Sequence, residues 1–300
     1  MKNNIFAIIE IGSSNTKAKV FENDKILFEE STTIEFKKNY KLNKKIITDD
    51  LEKLYTIIEK TLEYTNNINI YGCSIFRTIE DDELTTINEV LLKKYNLKIT
   101  VVSQEEEAEY TALGCYKDLP YQERICIFVG GGGSTELIFV KNGKIEKKLF
   151  FEFGAVDITN KFETLKEDKP TCTFKEVYDY IDGILDTQNE EAPLLILAGG
   201  DFPFWYISAK YEMKSNDLYK RDNQPYLLTK EMCNEYDLDS FKKSLNVIKE
   251  NSNNPLWFDG ARSMRVIANV VMNKIKAKNI IPTKINMIDG IKSNLIDFYR

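Results

Sequence analysis

Read as apolar and polar positions, the chain opens on an unbroken apolar run, Ile5-Phe6-Ala7-Ile8-Ile9, interrupted by Glu10 and then by the small polar turn Gly12-Ser13-Ser14-Asn15. Such a run reads as a strand buried on both faces. Shorter runs over 17–21 and 25–30 follow, joined by turn residues, so the opening predicts a three-stranded meander. The period then changes: Leu51, Leu54, Tyr55, Ile57, Ile58 and Leu62 recur at helical spacing behind Asp49, with Glu52 placed to close a capping box. Strands over 68–74 and 97–102 alternate with helices over 81–95 and from Gln104 to about Cys115, as in an α/β domain.

After the Pro120-containing stretch 117–123 the pattern restarts. Strands are expected over 124–129, 135–140 and 145–151, with a hairpin turn at Asn142-Gly143. Helices over 156–162 and 174–185 follow, then a strand over 194–197 that ends in Ala198-Gly199-Gly200. Helical stretches within 231–250 and over 262–278, a strand near 284–288 and a helix from Asp289 complete the reading. The expectation is an α/β duplication, domains 1–118 and 119–300 with strands and glycine turns converging on a central cleft, and a C-terminal helix free to pack back on the first domain.

Each restart carries one device. Gly12-Ser13-Ser14-Asn15-Thr16 and Gly130–Thr135 both follow a buried strand, and glycine lets several backbone amides and hydroxyls converge on one anion. A single Gly-Ser turn is more often only a hairpin. Four consecutive glycines, in echo of the first turn, shift the balance toward a phosphate cradle.

Composition narrows the chemistry. The 300 residues, 43% hydrophobic, can furnish a core without metal or disulfide staples. A net charge of -6 argues against nucleic acid as a partner, so an anionic ligand must meet a local cationic patch. The five cysteines form no paired motif and read as buried thiols in a reducing compartment. The apolar start is too short for a membrane span or signal core, which makes cytoplasmic, membrane-free localisation the expectation. The chain contains no histidine, which excludes His-based triads and His-ligated zinc.

Seven stretches, in order, carry a resemblance: Ile9–Lys17, Ser74–Thr78 with Arg77, Ser103–Gly114 with its Glu-Glu-Ala core, Gly131–Glu136 reading GGGSTE, Phe153–Val156 reading FGAV, Ala198–Gly200 and Asp289–Lys292. Together they resemble the Ppx/GppA exopolyphosphatase and guanosine pentaphosphate phosphohydrolase family, in the actin-like ATPase superfamily. The resemblance implies two ribonuclease H-like domains and release of terminal phosphate from inorganic polyphosphate or guanosine pentaphosphate. It implies Mg²⁺ as cofactor, with Mn²⁺ as the alternative, and leaves room for a homodimer.

Residue by residue, the resemblance places Glu107 at the catalytic base and Glu136 at the acid ending GGGSTE, with Glu10 and Glu136 as metal ligands. It places phosphate contacts at Gly12, Ser13, Ser14, Asn15, Thr16, Lys17, Arg77, Gly131, Gly132, Gly133, Ser134 and Thr135. Ordinary alternatives stand beside these roles: Glu107 decorates a helix start where Ser103 and Glu106 form a capping-box pattern, and Glu136 borders a turn. Glu10, inside an apolar strand, needs a partner or a metal. The run Lys37-Lys38-Asn39-Tyr40-Lys41 with Lys44-Lys45 is either phosphate-binding or a solvated loop. Phe204, Trp205, Tyr206, Trp257 and Phe258 pack a core more readily than they stack a base.

Departures from the family pattern bear on activity. The aspartate expected two residues before GGGSTE falls on Val129, which can neither ligate Mg²⁺ nor polarise water. Glu10 replaces an aspartate, Asp201 a threonine and Lys292 an arginine, which keeps charge but not fork geometry. A hydrolase of reduced activity, a catalytically impaired polyphosphate or guanosine-polyphosphate binding protein and, less strongly, a kinase of the same superfamily remain open.

Overall fold

The structure, a computed structural model, describes residues 5–13, 15–23, 25–117, 119, 123–215, 226–250 and 255–299. It divides into two compact units, Met1–Tyr110 with Met287–Arg300, and Thr111–Asn286.

In the first unit β1 (Ile5–Ile11), β2 (Asn15–Glu22) and β3 (Lys25–Thr33) form the antiparallel meander. Helices α1 (Phe36–Asn43) and α2 (Thr48–Leu62) lead to β4 (Ile68–Gly72), which lies parallel to β1. A 3-10 turn (Ser74–Arg77), α3 (Asp81–Tyr95), β5 (Ile99–Val101) and α4 (Gln104–Tyr116), whose residues from Thr111 onward belong to the second unit, follow, giving the sheet order β3-β2-β1-β4-β5. Alternation sends Ala7, Ile9 and Ile11 into one core with Leu54, Ile57 and Leu91, and Phe6 and Ile8 into another with Val102, Met287 and Ile291. Both faces are therefore covered, which is why β1 reads as a continuous apolar run. The same period of two puts Glu10 on the Phe6–Ile8 face, and Lys17 and Lys19 on the matching face of β2.

The second unit repeats the plan. Strands β6 (Ile125–Gly130), β7 (Thr135–Lys141) and β8 (Lys144–Phe151) make its meander, with Asn142 and Gly143 at φ 50 and 69 in the hairpin turn. After α5 (Ala155–Lys161) and α6 (Phe174–Ile184), β9 (Leu194–Ala198) pairs parallel with β6. Then come α7 (Phe202–Ser208), β10 (Lys214–Ser215), β11 (Tyr226–Thr229), α8 (Lys230–Lys242), α9 (Leu245–Lys249), α10 (Ala261–Lys274) and β12 (Asn279–Pro282), the last parallel to β9. The order β10-β11-β12-β9-β6-β7-β8 thus contains the first sheet's plan, with two strands added beyond β12. The chain returns to the first unit as α11 (Met287–Tyr299).

Three local expectations are corrected. The strand near 284–288 does not form; β12 ends at Pro282, and Thr283 and Ile285 continue beside β9 through single backbone bonds, Thr283 N–H to Leu197 O and Gly199 N–H to Ile285 O, both 2.9 Å. The capping box at Asp49 and Glu52 is absent, because α2 begins two residues earlier than that cap requires, behind an extended Ile47 with no side-chain cap. Residues 36–43, open between binding segment and solvated loop in the sequence, are helix α1. The stretch 117–123 is described only at 117, 119 and 123.

Buried ion pairs stiffen each unit. Lys19, 4% exposed, meets Asp289 at the start of α11 at 3.2 Å. Burial alone would lower its pKa, but Asp289 and Glu29 outweigh that and hold the ammonium above its usual value. In the second unit Arg265 grips both oxygens of Asp237 at 2.9 and 3.0 Å, and Asn269 adds a third bond at 2.9 Å. Trp205, Tyr206 and Phe258 are buried in that unit's core, as packing predicts. Cys73, Cys115, Cys126 and Cys233 are buried free thiols, and Cys172 is half-buried.

Candidate phosphate site

The two glycine turns are closed in the same way. In the first, Ile11 pairs with Thr16, and the Gly12 amide donates to the Asn15 carbonyl at 2.9 Å. In the second, Gly130 pairs with Thr135, and the Gly131 amide donates to the Ser134 carbonyl at 3.0 Å. Gly12 therefore corresponds to Gly131, Thr16 to Thr135, and Glu10 to Val129. Lys17 corresponds to Glu136.

Around the first turn, Ser13 Oγ bonds Ser74 Oγ, and the Ser13 carbonyl accepts from the Lys37 amide at 3.0 Å. Thr33 Oγ1 donates to Asn15 Oδ1 at 3.1 Å, while Thr16 is wholly buried. Ser14 lies outside the described residues. Ser74, at φ 48, is a non-glycine residue in the left-handed region, at the start of the 3-10 turn that delivers Arg77. Backbone strain of this kind is tolerated where surrounding contacts over-determine the conformation. Ser74 was legible only as part of a motif, since its partner lies 61 residues away.

Arg77 and Glu107 come together. Arg77 Nη1 donates to Glu107 Oε2 at 2.9 Å and to the Val102 carbonyl at 3.2 Å. Val102 is itself fixed by its amide, which donates to Gly72 O at 3.1 Å. The capping box at the start of α4 forms as expected, with Glu106 N–H to Ser103 Oγ at 3.1 Å and Ser103 N–H to Glu106 Oε2 at 2.8 Å. Glu106 thereby occupies the capping role, and Glu107 is released from it to face Arg77. Burial pushes the Glu107 carboxyl above its ordinary range, Arg77 pulls it back, and Glu10 adds to the upward push. A carboxyl held above its ordinary range in this way is a candidate proton acceptor.

Glu10 stands opposite Lys17 in the ladder, with Lys17 Nζ 3.6 Å from Oε1. Its other oxygen, Oε2, is buried and has no hydrogen-bond partner. An orphaned buried carboxylate oxygen is costly, and a hard divalent cation is the kind of group that satisfies one. Among the described residues no cluster of three or more acidic or cysteine side chains forms a ready-made cage. Glu10 thus suits a cation held mainly by water and substrate oxygens, as Mg²⁺ commonly is.

In the second unit the turn is braced from behind. Gly154 lies against it so closely that a Cβ would come within 2.7 Å of the Gly132 carbonyl carbon and of the Ser134 nitrogen. The Ala155 and Val156 amides donate to the Gly131 and Gly132 carbonyls at 3.0 and 2.8 Å, and Thr135 Oγ1 to the Phe153 carbonyl at 2.9 Å. These bonds turn the carbonyls toward α5. Among the described residues the amides of Gly132, Gly133 and Ser134 meet no backbone acceptor. That leaves three donors on one short turn for an anion. Val129 is 6% exposed and stands directly across the ladder from Glu136, itself 4% exposed.

Two other departures acquire structural roles. Asp201 caps α7, accepting from the Phe204 amide at 3.2 Å, and Lys292 lies over the Phe21 ring at 5.1 Å. Among the described residues no helix is long and apolar enough to cross a membrane.

A model of the Ppx/GppA phosphatase family matches residues 17–271. A bifunctional 3-dehydroquinate synthase/phosphatase of Fusobacterium nucleatum is 29% identical over 182 residues, 54% of this chain but only 27% of that protein's length. The fold is similar to an exopolyphosphatase from Cytophaga hutchinsonii, with TM-score 0.80 and 17% identity over 98% of both chains. It is also similar to the Ppx/GppA member from Aquifex aeolicus, with TM-score 0.75 and 17% identity over 99% of this chain and 100% of that one. The architecture is therefore the two-domain actin-like ATPase fold, and with a family match spanning residues 17–271 this chain belongs to the Ppx/GppA phosphatase family.

Proposed function

We propose that the protein hydrolyses terminal phosphoanhydride bonds of inorganic polyphosphate, with guanosine pentaphosphate as the alternative substrate. The observation that carries this reading is the Arg77–Glu107 pair beside the first glycine turn: a cation able to fork onto phosphoryl oxygens and a half-buried carboxyl able to accept a proton, 2.9 Å apart. Glu107 takes a proton from the attacking water, and Arg77 with the Ser13 and Lys17 side chains holds the phosphoryl oxygens. Charge in the transition state spreads over those oxygens, so donors fixed in advance carry most of the catalysis. Glu10 would hold Mg²⁺, or Mn²⁺ in its place, and the cation would supply charge neutralisation at the phosphoryl group. Glu136 is proposed as the carboxylate of the second turn.

Val129 favours a second reading, in which ligand is bound and turnover is weak. The position matching Glu10 in the repeated device holds an apolar side chain. The deciding experiment measures orthophosphate release from polyphosphate and from guanosine pentaphosphate, each with Mg²⁺ and with Mn²⁺, alongside calorimetric titration of both ligands. Release is expected from polyphosphate. Binding without release assigns the protein to the second reading, and neither binding nor release with any combination refutes both.

A further inference from the structure

Helix α1 is built against its own electrostatics. Its first turn carries Lys37 and Lys38 and no acid, although the N-terminal end of a helix favours negative charge. Lys37 and Lys41 lie four residues apart within the helix, and like charges at that spacing destabilise. No side chain caps the N-terminus, and the C-cap residue Lys44 adopts φ 56, a conformation glycine usually supplies.

Tertiary contacts hold this unfavourable helix in place. Phe36 is wholly buried and meets Phe76 edge-on at 5.4 Å, one residue before Arg77. Asn39 Nδ2 donates to both Asp50 oxygens at 3.0 Å. The Lys37 amide donates to the Ser13 carbonyl. The helix is therefore anchored both to the first phosphate turn and to the segment that carries Arg77. Lys38 pairs with Glu35 at 2.9 Å. Among the described residues Lys37, Lys41, Lys44 and Lys45 have no acidic partner, in a chain whose net charge is -6. A sequence that breaks several local rules on one anchored element points to a ligand rather than to stability.

We propose that α1 and the Lys44-Lys45 segment that follows it form a polyanion-binding arm, on which Lys37, Lys41, Lys44 and Lys45 bind the distal phosphates of a linear polyphosphate whose end lies at the Gly12–Thr16 turn. The proposal rests on the phosphate-site reading above and extends it to chain length. Eight helical residues rise about 12 Å. An inorganic chain continues its charge along such an arm, whereas a nucleotide's triphosphate ends at a nucleoside and leaves the lysines unmatched. Lysine suits this task, being a point charge on a flexible stem that needs no fixed fork geometry.

The test compares the parent with a variant carrying Lys37→Gln, Lys41→Gln, Lys44→Gln and Lys45→Gln, a change that removes repulsion within α1 and so spares folding. Tripolyphosphate and a polyphosphate of several tens of residues are titrated into each across a salt series. Tripolyphosphate affinity should stay within about twofold, while long-chain affinity falls at least about tenfold and its salt slope shrinks by about three, as counterion release requires for lost lysine–phosphate contacts. Unchanged long-chain affinity and slope, with tripolyphosphate still bound, overturn the arm alone. Failure of the parent to bind either phosphate overturns the phosphate-site reading and the arm with it. A single-stranded RNA of matched charge bound as tightly as polyphosphate overturns the assignment to polyphosphate.

Discussion

Val129→Asp places an acid where the repeated device has lost one, and the structure sets what that should cost. The position is 6% exposed, with Glu136 directly across the ladder and the Val129 side chain packed near Gly199. Cβ atoms of such cross-strand pairs lie about 5 Å apart, so two ionised carboxylates there repel by about 3 kcal/mol at an effective dielectric of about 20. Desolvation adds about 1–3 kcal/mol. The new acid escapes part of this by staying protonated, and that escape costs about 1.4 kcal/mol for each pH unit above its ordinary pKa of about 3.9. The pH-dependent part of the penalty is thus capped at about 1.5 kcal/mol at pH 5 and about 4 kcal/mol at pH 7, and burial of the neutral carboxyl adds a constant part. Because the folded-state pKa is raised, the variant's relative stability is greatest below the ordinary pKa and is lost as pH rises through the folded value. At about 2–4 °C per kcal/mol, the melting temperature in EDTA should fall by about 10 °C at pH 7 and much less at pH 5. Mg²⁺ at about a hundredfold over its Kd should return about 2.7 kcal/mol, a gain larger than the parent shows, with orthophosphate release rising alongside. Differential scanning fluorimetry at pH 5, 7 and 8, with and without Mg²⁺, measures all of this. A deficit flat in pH, or the parent's own Mg²⁺ response, refutes the reasoning that the acid faces Glu136 and a cation.

Glu107→Gln should lower turnover by about 10²–10⁴, and initial rates under saturating polyphosphate would show whether the base lies elsewhere. Since burial holds the Glu107 carboxyl above its ordinary range while Arg77 draws it down, kcat/KM should fall as pH drops through that raised value; in Arg77→Gln the acidic limb should move to higher pH, and an unmoved limb would dissociate the two residues. Gly154→Ala has no room for its methyl beside the Gly132 and Ser134 backbone, so it should cost more than the about 1–3 kcal/mol of ordinary overpacking and weaken tripolyphosphate binding, read by urea denaturation and titration. Asp237→Ala leaves Arg265 buried without its carboxylate and should cost about 3–5 kcal/mol by denaturant titration, with phosphate release per folded molecule unchanged.

The legible parts of the fold were those whose pattern is local. The β1 run and the helix over 81–95 were readable because apolar spacing and burial coincide there, as the buried Ala7, Ile9, Ile87 and Leu91 show. Helix α1 resisted the reading because its N-terminal signals oppose it, with no side-chain cap and lysines in the first turn, and its stability comes from Phe36 and Asn39 reaching other elements. The strand expected near 284–288 failed because buried Ile285 and Met287 alternate as strand residues do, yet Met287 already belongs to α11 and packs beside Cys73. At the site, glycine turns behind apolar runs announce themselves. That Arg77 ties to Glu107 across 30 residues, or Lys19 to Asp289 across 270, depends on sheet order and leaves no spacing to read.

The duplication also changes what Val129 means. Position by position, the first turn sets Glu10 opposite Lys17, and the second sets Val129 opposite Glu136. Each device holds one carboxylate, but on different strands: the strand entering the turn in the first unit, the strand leaving it in the second. A carboxylate that entered with β6 would stand against Glu136 with no lysine across the ladder to offset it, whereas Glu10 has Lys17 at 3.6 Å. Valine at 129 relieves that repulsion and lets Glu136 remain buried at 4% exposure. The substitution therefore trades a second acid for a stable first one, and the second unit keeps its turn and a single carboxylate. On the proposed reading, that arrangement favours phosphate capture, which would rest on amides and cations, over chemistry that needs paired acids.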